Sequence, residues 1–174
     1  MQDTLTQHAP RIQYTSVSPK GMRAFLTLSR FSAESGLEHS LLALVKIRAS
    51  IINGCAYCVD MHTKDARLAG ESEQRLYALP VWRETPFFTP RERAALAWTD
   101  TLTEIGRAGV SDELFAEARE EFSEEELVNL TFAVITINGW NRLAISFRAP
   151  VGSYVPGSVA QLTAENFAEA IPGR

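Results

Sequence analysis

Apolar side chains recur every three or four residues along most of this chain, which is the spacing that collects them on one face of an α-helix. The pattern is regular in a helix predicted from about Glu38 to Ile52, whose buried face would carry Leu41, Leu44 and Val45. No stretch shows sustained alternation of apolar and polar residues between hairpin turns. The sequence therefore predicts an all-α fold.

Capping residues and glycines divide this pattern into seven predicted helices. Thr89 and Ser123 each stand three residues before a glutamate and match a capping box, whereas Gly36 and Gly70 are placed to end helices. We predict helices at about 19–35, 38–52, 55–69, 73–79 and 90–105, a sixth after a cap at residue 111, and a seventh at 124–147.

The length and the apolar content of the chain fit a single domain. Of its 174 residues, 45% are hydrophobic, which is enough to bury a substantial core without disulfide staples. We assign residues 19–152 to a helical domain, 1–18 to an N-terminal extension and 153–174 to a C-terminal tail. The stretch 150–157, rich in proline and glycine, is predicted to be an ordered wrap or loop.

Charge and hydropathy argue against several classes of protein. Lys and Arg total 17 against 21 Asp and Glu, so the net charge of -4 offers no positive excess for a phosphate backbone, and we expect no nucleic-acid partner. Residues 1–18 are polar and lack the apolar core of a signal peptide, and charged or amide side chains interrupt the longer apolar stretches. We expect a soluble cytoplasmic protein without a membrane segment.

Cys55 and Cys58 are the only cysteines, and the loop that they close is too short for an effective structural staple. On a helix, Cys55, Cys58 and His62 are three and four residues apart and project from one face. The helix dipole favours a thiolate at Cys55, and the imidazole of His62 favours one at Cys58. The spacing predicts thiol and disulfide chemistry, with a disulfide forming between Cys55 and Cys58 of one chain.

Two other interpretations use the same residues. Free cysteines on an amphipathic helix also occur as small buried apolar residues. Two cysteines and a histidine also supply three of the four ligands of a zinc site, but His8 and His39 lie upstream and no second ligand pair follows. We expect no bound metal.

Two further features have open interpretations. Lys46 and Arg48 either attract an anionic substrate and lower a thiol pKa, or extend to solvent beside an apolar face. The dipeptide Asn53-Gly54 recurs as Asn138-Gly139, each time after an apolar stretch. This repetition is either a trace of internal duplication or two instances of a common helix interrupter.

The run LVKIRASIINGCAYCVDMH, at residues 44–62, closely resembles the carboxymuconolactone decarboxylase superfamily in its alkylhydroperoxidase D (AhpD)-like branch. NGWNRL at 138–143, followed by FRAP at 147–150, is similar to the second half of single-domain members. The resemblance covers about residues 19–152. The spacing CxxCxxxH, joined to the preceding Arg-Ala-Ser-x-x-Asn-Gly, makes the match specific.

This resemblance implies a helical fold that assembles as a homo-oligomer, either a dimer, a trimer or a hexamer. It implies reduction of hydroperoxides or disulfides without haem, flavin or another cofactor. It assigns peroxide attack to Cys58, resolution of the oxidised thiol to Cys55 and a proton relay to His62. The electron donor would be a dithiol carrier, such as a lipoyl protein or a thioredoxin-like protein.

The chain departs from the family pattern at one position. AhpD-type members carry a glutamate twelve residues before the first cysteine, and here that position is Ala43. Without this carboxylate, His62 loses an orienting partner and the thiols lose a general base, so we expect weak peroxidase activity. Glu34, Glu38 and Asp60 are candidate substitutes.

Two alternative functions stay open, the first because of the missing carboxylate and the second because the superfamily takes its name from it. One is a non-enzymatic redox sensor or interaction protein. The other, which we favour less, is an enzyme of the carboxymuconolactone decarboxylase type, because lactone decarboxylation has no obvious need for the pair formed by Cys55 and Cys58.

Overall fold

The computed structural model describes residues 9–158, and the regular secondary structure of this part of the chain is entirely helical, without a β-strand. The all-α prediction is therefore confirmed. In order, the described helices are α1 (Tyr14–Val17), α2 (Pro19–Ala33), α3 (His39–Ile52), α4 (Ala56–Leu68), α5 (Glu73–Ala78), a 3-10 helix (Leu79–Glu84), α6 (Pro90–Thr103), α7 (Asp112–Glu121) and α8 (Glu124–Phe147).

Local capping signals were reliable guides to the helix starts. Thr89 and Ser123 form the predicted capping boxes with Glu92 and Glu126. Ser72 and Ser111 also cap their helices, each accepting a hydrogen bond from a backbone N–H in the first turn. These serine and threonine side chains satisfy N–H groups that have no partner within the helix.

Two elements differ from the sequence expectation. The short helix α1 lies in the segment assigned to an extension, where Tyr14 stacks on Phe147 at a ring-centroid distance of 5.4 Å. The helix predicted to end before Pro80 does so, as α5, but a 3-10 helix that the sequence did not predict follows it directly, with a kink at Val81 (φ -118°, ψ 30°). That tighter turn tolerates the missing N–H of proline and buries Leu79 and Trp82.

The central element of the fold is α3, which packs against α4, α6 and α8. Its side chains are buried on several sides, with Leu44, Val45, Ile47 and Ala49 at most 1% exposed. A helix with apolar residues around most of its circumference belongs in the middle of a bundle. The three surrounding helices therefore have their positions fixed relative to α3, and the cysteines follow directly at its C-terminal end.

Arg48 of α3 has a structural role that neither sequence interpretation anticipated. Its Nε lies 2.6 Å from Asp100 Oδ1 of α6, and its NH1 donates to the carbonyl of Pro80 at 3.0 Å. Arg83 and the indole N–H of Trp82 also bind Asp100. Arg48 thus joins α3, α6 and the 3-10 helix, and it is already paired with a carboxylate.

Within residues 9–158, no helix is both long and apolar enough to cross a membrane. The longest described helix, α8, carries buried polar side chains along its length, among them Asn129, Asn138 and Asn141. Each of these amides is hydrogen-bonded, which makes its burial tolerable.

Candidate active site

The two cysteines stand at the junction of α3 and α4. Asn53 ends α3, and Gly54 turns the chain with a φ of 68°, a conformation that glycine adopts without steric cost. Cys55 is the N-cap of α4 in an extended conformation, so α4 begins one residue later than predicted. The N–H of Cys58 points at Cys55 Sγ over 3.4 Å. Both sulfur atoms therefore lie at the positive end of the α4 dipole.

The sulfur atoms of Cys55 and Cys58 are joined in a disulfide within the chain, as the spacing predicted. Their Cα atoms are 5.4 Å apart, which lies in the ordinary range for this bond. Each cysteine is only 1% exposed. Ala144 of α8 is buried with them, and Tyr57 and Ala149 pack against this cluster.

Three asparagines hold the turn before Cys55. Asn53 Nδ2 donates to Asn141 Oδ1 at 2.9 Å and to Asn138 Oδ1 at 3.0 Å. Asn141 Nδ2 donates in turn to Ser50 Oγ at 3.0 Å. Asn138 and Asn141 are at most 8% exposed, so these bonds form away from bulk water, where an unpaired amide is costly. The network fixes the end of α3 against α8.

This network explains the repeated Asn-Gly dipeptide. The first copy ends α3, whereas α8 continues through Asn138 and Gly139 without interruption. Gly139 is required there by packing, because a Cβ atom at this position would collide with the ring of Phe25. The two asparagines bind each other across the helix interface. Sequence reasoning noticed the repetition but did not recognise the pairing that it signals.

His62 lies one turn after Cys58 on α4 and is half-buried. Burial, assisted by the positive charge of Lys46, lowers the pKa of His62 to about 3. No hydrogen bond from residues 9–158 reaches its imidazole. The ring is therefore neutral at pH 7, and its lowered pKa makes it a weaker base than a free imidazole.

We expect the stability of the protein to depend on His62 at acid pH. The pKa of His62 is lower in the folded chain than in the unfolded chain. The free energy of unfolding is therefore highest above about pH 6.5 and falls as the pH drops toward 3, because the unfolded chain takes up the proton first. Between pH 7 and pH 4, this group alone would remove up to roughly 3 kcal/mol of unfolding free energy, an upper limit because water reaches the half-buried ring. Denaturant unfolding of the native chain and of His62→Gln at both pH values measures the effect. Equal pH dependence in the two proteins would contradict it.

Lys46 faces the same region from α3. Burial lowers the pKa of Lys46, while the negative charge of Asp65 acts in the opposite direction. No described residue accepts a hydrogen bond from its ammonium group. Ala43, one turn earlier, packs against an apolar cluster that includes Ala66, one turn after His62. The position of the missing carboxylate is thus filled by a methyl group, with a cation nearby.

The three candidate substitutes for that carboxylate are engaged elsewhere. Glu34 pairs with Arg30 at 2.9 Å on the surface of α2, and Glu38 pairs with Arg91 at 2.9 Å. Asp60 accepts a hydrogen bond from Lys64 Nζ at 2.9 Å. None of the three is hydrogen-bonded to His62.

The described part of the chain also bears on the metal alternative. Among residues 9–158, no three side chains of the types His, Cys, Asp and Glu come together in a group that could hold a metal ion. Both cysteines are bonded to each other, and His62 faces Lys46. His8 lies outside the described residues.

Comparison with known proteins identifies the family. Residues 19–101 match the model of the carboxymuconolactone decarboxylase family. The uncharacterized protein YdfG of Bacillus subtilis is 41% identical over 136 residues, which span 78% of this chain and 92% of YdfG. A crystal structure of a protein of unknown function from Agrobacterium tumefaciens, named as a candidate antioxidant defence protein AhpD, is 46% identical with a TM-score of 0.80 and covers 83% of this chain and 99% of its own.

A more distant structure supports the fold alone. An alkylhydroperoxidase AhpD core protein of Ralstonia eutropha, an uncharacterized peroxidase-related protein, has a TM-score of 0.71 at 20% identity, over 80% of this chain and 75% of its own. The helical architecture is therefore retained where most of the sequence has changed. Taken with the family match and the two nearer relatives, the chain belongs to the carboxymuconolactone decarboxylase family, in its AhpD-like branch.

Proposed function

We propose that this protein is a thiol-dependent oxidoreductase that reduces hydroperoxides or disulfides through Cys55 and Cys58. The observation that carries the proposal is the bonded cysteine pair at the N-terminus of α4, one turn before His62. A helix N-terminus stabilises a thiolate, and a second cysteine within bonding distance resolves an oxidised thiol. Membership of the AhpD-like branch supports the same chemistry.

The proposed peroxide reaction has two steps on the protein. The Cys58 thiolate attacks the outer oxygen of the hydroperoxide, an S–O bond forms, the O–O bond breaks and the alcohol leaves after taking up a proton. The Cys55 thiolate then attacks the sulfenic acid sulfur of Cys58, which forms the disulfide and releases water. Attack on a disulfide substrate would pass through a mixed disulfide and end at the same protein disulfide.

A dithiol closes the cycle. Its two thiols are oxidised to a disulfide while the bond between Cys55 and Cys58 is reduced to two thiols, so electrons and protons balance. We propose a lipoyl or thioredoxin-like protein as this donor and the reducing cytoplasm as the compartment. The role proposed for His62 is to relay the proton of the Cys58 thiol, because its imidazole is neutral and stands one turn away. Its lowered pKa makes it a weak base, which also favours a low rate.

The direct test is a steady-state assay of the purified protein with cumene hydroperoxide and dihydrolipoamide. We expect dihydrolipoamide oxidation that depends on both protein and hydroperoxide, at a low rate because Ala43 supplies no base. An assay with a small disulfide in place of the hydroperoxide examines the second substrate class. Absence of catalysed turnover with both oxidants would refute the proposal.

A redox sensor is the second candidate function, and the burial of both sulfur atoms favours it. With each cysteine 1% exposed, oxidation and reduction are expected to be slow events that change the structure around α4. A sensor would be oxidised once by hydroperoxide and would show no sustained turnover with a dithiol. The same assay, continued beyond one equivalent of hydroperoxide, separates the two functions.

We further propose that the protein forms a homo-oligomer through α8. Phe132, Ile135 and Val128 on this helix are 37%, 51% and 54% exposed, and Phe31 meets the edge of Phe132 at 5.7 Å between ring centroids. A continuous exposed apolar strip of this kind is typical of a subunit interface. Phe132→Glu should lower the mass measured by light scattering at micromolar concentration, whereas Tyr77→Glu on α5 should not. A monomeric mass for the native chain would contradict this proposal.

A further inference from the structure

The chain beyond α8 turns back over the helix that carries the cysteines. Arg148 ends α8 in the left-handed conformation, with a φ of 57°, and the N–H of Ala149 bonds the carbonyl of Ala144 at 2.9 Å. Ala149 then packs against the buried cysteine cluster. We call residues 149–158 the C-terminal strap.

Asp60 on α4 makes the first attachment of the strap. Its Oδ2 accepts hydrogen bonds from the backbone N–H of Gly152 at 3.3 Å and from Lys64 Nζ at 2.9 Å. Lys64 Nζ also reaches the carbonyls of Tyr154 at 3.3 Å and Gly152 at 3.4 Å. The pair of Asp60 and Lys64 therefore binds both an N–H group and carbonyl groups of the strap backbone.

Asp65, on the next turn of α4, makes the second attachment. The hydroxyl of Tyr154 donates to the Asp65 carboxylate, with distances of 2.8 and 2.9 Å to its two oxygens. The N–H of Gly157 donates to Asp65 Oδ1 at 2.9 Å. Hydrogen bonds to a charged acceptor are stronger than those between neutral groups. The strap is thus fixed to α4 at two independent points, on either side of Tyr154.

Reduction of a disulfide requires a thiolate to contact one of its sulfur atoms directly. Both cysteines are 1% exposed, so the disulfide is closed to any external thiol in this arrangement. Ala144 and Tyr57 belong to helices, whereas Ala149 belongs to the strap. Release of the strap from α4, together with loss of the hydrogen bond from the Ala149 N–H to Ala144, would move this covering residue while the helices of the bundle stay in place.

We propose that the C-terminal strap gates the disulfide, so that a dithiol reduces Cys55–Cys58 only while residues 149–158 are detached from α4. This inference rests on the proposed function in one respect, because it treats the disulfide as the bond that the electron donor reduces. The reaction itself converts one dithiol to a disulfide and the protein disulfide to two thiols. If detachment is rare and rapidly reversed, the reduction rate follows the fraction of molecules in which the strap is open.

The experiment measures the rate at which excess dithiothreitol reduces the oxidised full-length protein, followed by alkylation and mass spectrometry. Tyr154→Phe removes the hydroxyl that binds Asp65, and Asp60→Asn weakens the other attachment. Each variant should be reduced about tenfold faster than the native chain, because each loses a hydrogen bond to a charged group. Tyr77→Phe, which removes a hydroxyl from a 73% exposed tyrosine on α5, is the matched control and should react at the native rate.

Amide hydrogen exchange distinguishes strap release from general unfolding. Faster exchange at Gly152 and Gly157, with unchanged protection in α3, should accompany the faster reduction. The proposal is overturned if both variants are reduced at the native rate, or if the rate gain appears only together with loss of protection in α3. This test uses no hydroperoxide, so the variants can be reduced faster even if the protein has no peroxidase turnover. Failure of the proposed function and failure of the gate are therefore distinguishable.

Discussion

Cys58→Ser is expected to reduce hydroperoxide-dependent oxidation of dihydrolipoamide to the rate measured without protein. The serine hydroxyl is not ionised near neutral pH and cannot form a disulfide, so both the attack on peroxide and the regeneration of the thiol are lost. Cys58 is buried at the start of α4, where serine has nearly the same shape, and the fold should survive the exchange. Steady-state turnover with cumene hydroperoxide measures the effect.

Cys55→Ser is the informative control for this prediction. It keeps the attacking thiol proposed at Cys58 but lacks the cysteine that resolves the oxidised intermediate. We expect a single round of peroxide reduction and a sulfenic acid on Cys58 that dimedone traps. Native turnover in Cys58→Ser would rule out the thiol mechanism. Dimedone labelling of Cys55 in Cys58→Ser, with no labelling of Cys58 in Cys55→Ser, would reverse the assigned roles.

Ala43→Glu is expected to raise peroxidase turnover, by at most roughly 10² to 10⁴-fold, which is the contribution of a well-placed acid or base. The site around position 43 is apolar toward Ala66 but has Lys46 one turn further along α3. A carboxylate there would have a cation within reach and would offset the positive charge that now disfavours protonation of His62. The gain should therefore depend on His62.

The charge at His62 provides a readout that is separate from activity. In Ala43→Glu, the pKa of His62 should rise from about 3, and an NMR titration of the imidazole measures this change. The double variant with His62→Ala should lose the rate gain. Unfolding must be checked first, because a carboxylate beside Leu44 that finds no partner destabilises the core. A folded Ala43→Glu protein without either change would show that another group completes the proton relay.

Sequence patterns were sufficient for most of the helical framework because helix ends are decided locally. A serine or threonine side chain and a glutamate three residues later are enough to start α6 and α8, whatever surrounds them. Helix α1 could not be found in this way, since it has only four residues and depends on the stacking of Tyr14 against Phe147. Periodicity cannot report a contact between residues so far apart in the chain.

In the candidate site, too, the local features were predictable from the sequence and the long-range contacts were not. The spacing of Cys55 and Cys58 identified the disulfide, because that bond forms within one turn of the chain. The asparagine network escaped prediction, because Asn53 and Asn138 come together only when α3 packs on α8. The lowered pKa of His62 likewise depends in part on α3, since the positive charge of Lys46 adds to the effect of burial.

The asparagine network also sets the order in which the site can be completed during synthesis. Asn53 is bound by Asn141, a residue 88 positions later in the chain. At translation rates of about 5–20 residues per second, the cysteines are made roughly 4 to 17 s before that partner. Until α8 leaves the ribosome, the turn before Cys55 lacks its buried hydrogen bonds and both thiols lack the cover of Ala144. The nascent chain therefore passes through an interval in which its two cysteines are open to oxidants and other thiols, and the reducing compartment proposed for this protein would protect them during it.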